Sequence, residues 1–153
     1  MENLFDTLQR LSEKFVASDI MVVKEDIVSA ENEQEALRLL EQNPQFDLIP
    51  LRAANRLVAF LERGTDRAKK IQIKHVIGCD TPILDLVRIL SEKRHVFVLR
   101  ECEIVGLIHF SDLNDQVVKL PFFILLEGLE RKIADSIRRV VNKDMLPVII
   151  KNE

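Results

Sequence analysis

The 153-residue chain is 47% apolar and 31% charged, with a formal net charge of -3. A chain of that length buries about two thirds of its unfolded surface, enough for one core or for two small halves that share one. Its weak acidity gives no electrostatic footprint for nucleic acid. Its longest purely apolar stretch, Pro121 to Leu126, falls far short of the ~20 residues a membrane-spanning helix needs.

The chain opens on Met1-Glu2-Asn3-Leu4, which is not a basic segment leading into an apolar one, so no signal peptide is expected. Cys79 and Cys102 have neither pairing nor metal-ligand spacing and read as small apolar residues of a reducing compartment. The expectation is a soluble, cytoplasmic protein. Residues 2–17 carry Leu4, Phe5, Leu8, Leu11 and Phe15 at helical spacing, which predicts an amphipathic leading helix.

Residues 27–66 and 76–113 then read as two copies of one unit. Each begins with a short apolar run, Ile27-Val28 or Val76-Ile77, followed by a polar turn. A helix comes next, marked by Ala36, Leu37, Leu39 and Leu40 in the first copy and by Leu86, Val87, Ile89 and Leu90 in the second. Thr81 is the expected N-cap of the second helix, with Pro82 in its first turn. Two apolar strands follow in each copy. They are 48–51 and 57–61 around a turn at Ala53-Ala54-Asn55, and 96–99 and 104–108 around Glu101-Cys102-Glu103. The unit is strand, helix, strand, strand, helix. Alone, a unit of about 45 residues cannot cover its apolar face; two copies packed through their sheets can.

From Ser111 onward Val117, Leu120, Ile124, Leu125, Leu129, Ile133, Ile137 and Val140 form an apolar stripe opposite Glu127, Glu130, Arg131, Lys132, Arg138 and Arg139. Pro121 is expected to bend or break this helix near Lys119. Such a helix needs a surface to cover it. Its own domain and a second copy are equally good candidates, and a membrane surface is a lesser one. Leu146 to Ile150 suggest a short edge strand.

The repeat resembles the CBS motif. The most specific stretch is Ile104-Val105-Gly106-Leu107-Ile108-His109-Phe110-Ser111-Asp112-Leu113, which departs from the motif's pattern only where His109 replaces a hydroxyl residue. The first copy is weaker: Ala59 stands for the glycine, Glu62 for the hydroxyl residue and Thr65 for the aspartate. Ser18-Asp19-Ile20-Met21 is similar to the common start of a first CBS motif, and the likeness covers roughly residues 18–115. The resemblance implies an α/β (α+β) CBS-domain pair. Its two βαββα units are related by a pseudo-two-fold axis and carry N- and C-terminal helices. The expected divisions are a helix over 1–18, motif 1 over 19–70, motif 2 over 71–115, and a C-terminal amphipathic helix and tail over 116–153.

The resemblance further implies an adenosyl ligand, AMP, ADP, ATP or S-adenosylmethionine, in a cleft between the motifs. Asp112 is the candidate for the ribose hydroxyls, since a carboxylate can accept from two vicinal hydroxyls; at a helix start it can equally serve as a cap. His109 and Ser111 are candidates beside it, with Ile108 on the strand. Ile27, Phe46, Asp47 and Leu48 from the first copy are candidates for the adenine slot, where Phe46 can equally be a core aromatic. The opposite cleft, with Thr65, Asp66, His75 and Arg94, lacks the carboxylate and is expected to be weak or empty.

The chain has four glycines and no glycine-rich phosphate loop, no metal-ligand cluster and no nucleophile in a recognisable setting. It is expected to be a regulatory module rather than an enzyme. As a sensor it would signal to a separate effector protein; the alternative is a ligand-free scaffold for homodimerisation or protein interaction.

Overall fold

The computed structural model describes residues 4–149, with side chains over 6–141. Of the positions used above, residues 2 and 3, the side chains of Leu4 and Phe5, and Ile150 lie outside the described residues. The chain divides into two compact units, one of residues 16–114 and one made by the two ends of the chain.

In the larger unit the order is β1 (Val22–Val23), α2 (Glu33–Gln42), β2 (Leu48–Ala53), β3 (Arg56–Glu62), β4 (Lys69–Lys70), β5 (Val76–Gly78), α3 (Ile83–Glu92), β6 (His95–Arg100) and β7 (Glu103–His109); α1 and α4 belong to the other unit. The strands form a four-stranded sheet, β1-β7-β6-β5, and a three-stranded sheet, β2-β3-β4. The chain is a mixed α+β pair of repeats. Each residue of the second hairpin stands 47 positions after its counterpart in the first, from Leu48 and His95 to Glu62 and His109. The same displacement relates the short strands: Val22 pairs with Leu107 as Lys69 pairs with Phe60. The strand before each motif thus joins the sheet of the other, which ties the halves together.

The first hairpin turns through Ala54 and Asn55, both at positive φ (48° and 60°), the requirement of the two-residue turn whose twist suits a hairpin. α2 begins at Asn32, whose side chain accepts from the Glu35 N–H at 2.9 Å. α3 differs from expectation. Its N-cap is Pro82, without a side-chain cap bond, and the Thr81 N–H instead donates to Gly78 in the preceding turn.

The expected strand at Ile27–Val28 also does not form; only Ala30 bridges to Leu51. The Ala30 N–H donates to the Pro50 carbonyl and its carbonyl accepts from Arg52. Extending that parallel ladder by one step would need an N–H from residue 50, and proline has none. The second motif has Phe97 there, and β5 forms along it.

The two hairpins, β2-β3 and β6-β7, are packed on both faces, as three packed clusters show. Ile49, Leu51 and Leu61 pack with Ala36 and Leu40 of α2. Val96, Val98 and Ile108 pack with Leu86 and Leu90 of α3. Between the sheets lie Ile27, Leu48, Leu57, Phe60 and Phe97, all buried. Gly106 is needed where β1 crosses β7: a Cβ there would lie 2.6 Å from Met21 Sδ and 2.9 Å from the Val22 carbonyl oxygen.

The smaller unit contains α1 (Leu4–Ser12) packed on α4 (Gln116–Ile149). α4 is assigned as helix through Pro121 without a break, so the expected interruption at Lys119 is absent. Pro121 lacks the N–H that would bond to the Val117 carbonyl, yet the helix runs on through it, and its ring is buried. The expected strand over Leu146–Ile149 is also absent, because those residues continue α4. Val118, Pro121 and Gly128 are buried, whereas Leu129, Ile133, Ile137 and Val140 of the predicted stripe are about half exposed.

Candidate functional site

A cleft of about 480 Å³ opens between the two motifs. One wall comes from the segment after β1, with Ile27 and Val28, and from the start of β2, with Phe46, Asp47 and Leu48. The other is the end of β7 and the tight helical turn Phe110–Asn114, with Leu107, His109, Ser111 and Asp112. Seven of the eight residues singled out from sequence therefore line one cleft.

Ile108 does not. Its side chain is fully buried on the α3 side of the sheet, beside Leu86 and Val98. Alternation along β7 turns Leu107 and His109 one way and Ile108 the other. That period-two rule was available from the sequence and names Leu107 as the wall residue. Val22 and Asp26, which also line the cleft, carry no such signal; β1 reaches it only through pairing with β7.

The segment carrying Phe46 and Asp47 is held from behind by Arg63. Its guanidinium donates to the carbonyls of Leu40 (2.7 Å), Asn43 (2.8 Å) and Phe46 (3.0 Å), and its N–H donates to the Asp47 carbonyl (2.8 Å). Phe46 is partly buried against the α2 cluster, so it serves the core and the cleft together.

Opposite it, Asp112 accepts the His109 N–H at 2.7 Å through Oδ2 and so fixes the turn. The Ser111 N–H donates to His109 Nδ1 at 3.2 Å, and the Ser111 hydroxyl lies 2.8 Å from the same nitrogen. In the neutral imidazole this leaves the proton on Nε2, which faces Asp47 Oδ2 at 3.1 Å. Asp47 also pairs with Arg94 at 3.3 Å. The cleft thus contains Asp26, Asp47 and Asp112 but no lysine or arginine.

A second cleft, of about 1020 Å³, lies on the pseudo-symmetric side. His75 and Arg94 line it, as expected from sequence. Thr65 and Asp66 do not: Thr65 turns back to the Glu62 carbonyl through both its N–H and its hydroxyl. Phe60, Glu62 and Lys69, which the sequence reading did not place in this cleft, are in its wall, and Lys69 pairs with Glu62. Burial, reinforced by Lys74, Lys93 and Lys69 against an opposing Glu62, lowers the pKa of His75. Burial is also the largest cause at His95, whose pKa falls to about 4; Glu62 opposes it, while His109, His75 and Lys69 add to it. Among the described residues no cluster of His, Cys, Asp or Glu is arranged to hold a metal ion, and no helix is long and apolar enough to cross a membrane.

No protein-family model matches the chain, and no curated protein matches it. Solved structures do. A haemolysin-like CBS-domain protein of Oenococcus oeni is 20% identical, with a TM-score of 0.52 over 74% of this chain and 97% of that one. CBSX2, solved with AMP, is 15% identical, with a TM-score of 0.55 over 72% of this chain and 98% of that one. The CBS domain of a bacterial CNNM/CorC-family Mg2+ transporter, solved with ATP, is 12% identical, with a TM-score of 0.52 over 81% and 95%. Its two repeated halves exchange strands, and likeness at these identities is one of fold: this chain has the fold of a tandem CBS-domain pair.

Proposed function

We propose that the chain is a regulatory module that holds an adenosyl ligand in the 480 Å³ cleft and signals its occupancy to a separate protein. One observation carries the reading: an apolar wall from the first motif (Ile27, Phe46, Leu48) faces a carboxylate, Asp112, at the end of β7 in the second. Asp112 spends one oxygen's hydrogen bond on the His109 N–H and is thereby held rigidly for ribose hydroxyls. The complexes of CBSX2 with AMP and of the transporter domain with ATP support an adenine ligand for this fold. Bonds to a charged group contribute ~1.5–3 kcal/mol each, against about 8 kcal/mol for micromolar affinity. The apolar wall must supply the rest. With three carboxylates and no lysine or arginine, this cleft recognises the adenosine part of the ligand rather than a phosphate.

Calorimetry with adenosine, AMP, ATP and S-adenosylmethionine tests the reading. Asp112→Asn keeps an acceptor for the His109 N–H while deleting the charge, and is expected to weaken adenosine binding ~10- to 100-fold. Absence of heat from all four compounds refutes the proposal.

A second reading, self-association, is favoured by α4. Phe122, Leu126, Leu129, Ile133, Ile137 and Val140 recur three or four residues apart and are each about half exposed, the pattern of a helix that pairs with another helix. Light scattering should give twice the chain mass for the native protein and the single mass for Leu129→Glu/Ile133→Glu. A native protein of single-chain mass removes this reading.

A further inference from the structure

The two clefts are built from equivalent positions and carry opposite chemistry. Moving 47 residues along the chain takes Ile27, Val28, Phe46 and Leu48 of the first cleft to Lys74, His75, Lys93 and His95 of the second. Val22 becomes Lys69, and the carboxylate of Asp112 becomes the hydroxyl of Thr65, turned back on its own backbone. The position of Leu107 in the first cleft is taken by Phe60 in the second. Phe60, 1% exposed, meets the rings of His75 and His95 edge-on at 5.1 and 5.0 Å. The apolar wall of the first cleft is thus replaced by cations and imidazoles, and no carboxylate stands where Asp112 does.

A strong positive field takes their place. The wall has four lysines and two arginines against Asp47 and Glu62, in a chain whose net charge is -3. The two carboxylates are already engaged, with Arg94 and Lys69. Lys70, Lys74 and Lys93 have no carboxylate partner among the described residues. Lys93 Nζ donates to the Lys74 carbonyl at 2.5 Å, which holds two of these cations at one rim. A concave surface lined by one sign of charge focuses that field on its contents.

We propose that this second cleft is a binding site for a small condensed phosphate, recognised through its phosphate groups without a nucleobase, with Lys70, Lys74 and Lys93 as its principal ligands. This is independent of the adenosyl reading of the other cleft. An anion here also changes the surroundings of His75, which faces Lys74, Lys93, Glu62 and Lys69, and of His95, which faces Glu62, His109, His75 and Lys69. It opposes the local cations and favours the protonated rings, so the two rings take up protons on binding as pH falls toward their lowered pKa values.

The test is calorimetry of the full chain at 0.15 M salt with tripolyphosphate, orthophosphate and ATP, in buffers of different ionisation enthalpy. Tripolyphosphate is expected to bind at least tenfold more tightly than orthophosphate, with proton uptake at pH 6. Lys74→Ala/Lys93→Ala should weaken it tenfold or more and Lys70→Ala by a smaller factor, while Lys74→Arg/Lys93→Arg retains it. Asp112→Asn, which belongs to the other cleft, should leave tripolyphosphate binding unchanged whether or not adenosine binds. No tripolyphosphate binding, or binding indifferent to the double alanine variant, overturns the proposal. So does ATP binding through Lys74 and Lys93 without any tripolyphosphate binding, since the nucleoside would then be the recognised part.

Discussion

His95 occupies the position that Leu48 fills in the other motif, and replacing it with leucine exposes what a histidine costs there. Its pKa of about 4 lies well below the ordinary 6.5, chiefly because the ring is desolvated beside Phe60 and Phe97. Between those pH values the unfolded chain binds a proton that the folded chain refuses, so stability is complete above pH 6.5 and declines as pH falls toward 4. At about 1.4 kcal/mol per pH unit the loss reaches about 3 kcal/mol for a fully desolvated ring, and about 2 kcal/mol for this partly exposed one. His95→Leu removes the group and should remove that share of acid sensitivity. Urea denaturation at pH 7, 6, 5 and 4 measures it: the native chain should lose about 2 kcal/mol more than the variant between pH 7 and 4. Carboxylate titrations are common to both chains and cancel in the comparison. Parallel pH profiles, or a His95 ring that titrates near 6.5 by NMR, would refute the reasoning.

Three further substitutions probe the fold. Gly106→Val should push β1 away from β7 and cost about 1–3 kcal/mol, because its Cβ would sit 2.6 Å from Met21 Sδ; chemical denaturation reads the loss. Phe97→Ala empties the junction between the sheets, where the ring is fully buried and 5.5 Å from Phe60, and should lower the unfolding free energy by ~3–5 kcal/mol. Ala54→Gly relieves a residue held at φ 48° and should stabilise the chain by about 0.5–1 kcal/mol in a thermal melt; an unchanged or lower midpoint would show that the turn stores no such strain.

Much of this architecture was legible in the residues. The repeat, both hairpins and both helices follow from apolar periodicity, since each element buries a face whose spacing matches its own geometry. Seven of the eight positions singled out do line one cleft. The eighth, Ile108, points to the α3 side, because a strand turns alternate residues to opposite faces and a contiguous motif does not make a contiguous wall. Ile27–Val28 looked like a strand because apolar content says nothing about whether the neighbour can donate; Pro50 cannot. The length of α4 is hidden by Pro121, which removes a backbone bond within the helix without ending it.

The duplication, the elements and the identity of every side chain available to a site can be read from the residues alone. The exchange of β1 and β4 between the sheets, and the place of Asp47 between His109 and Arg94, emerge only from packing in three dimensions. That packing alone gathers Lys70, Lys74 and Lys93 into one wall while the equivalent wall stays apolar and acidic. Periodicity is a local property, set by backbone geometry over a few residues. The charge of a cleft is a sum over segments far apart in the chain, and it has no value until packing brings them together.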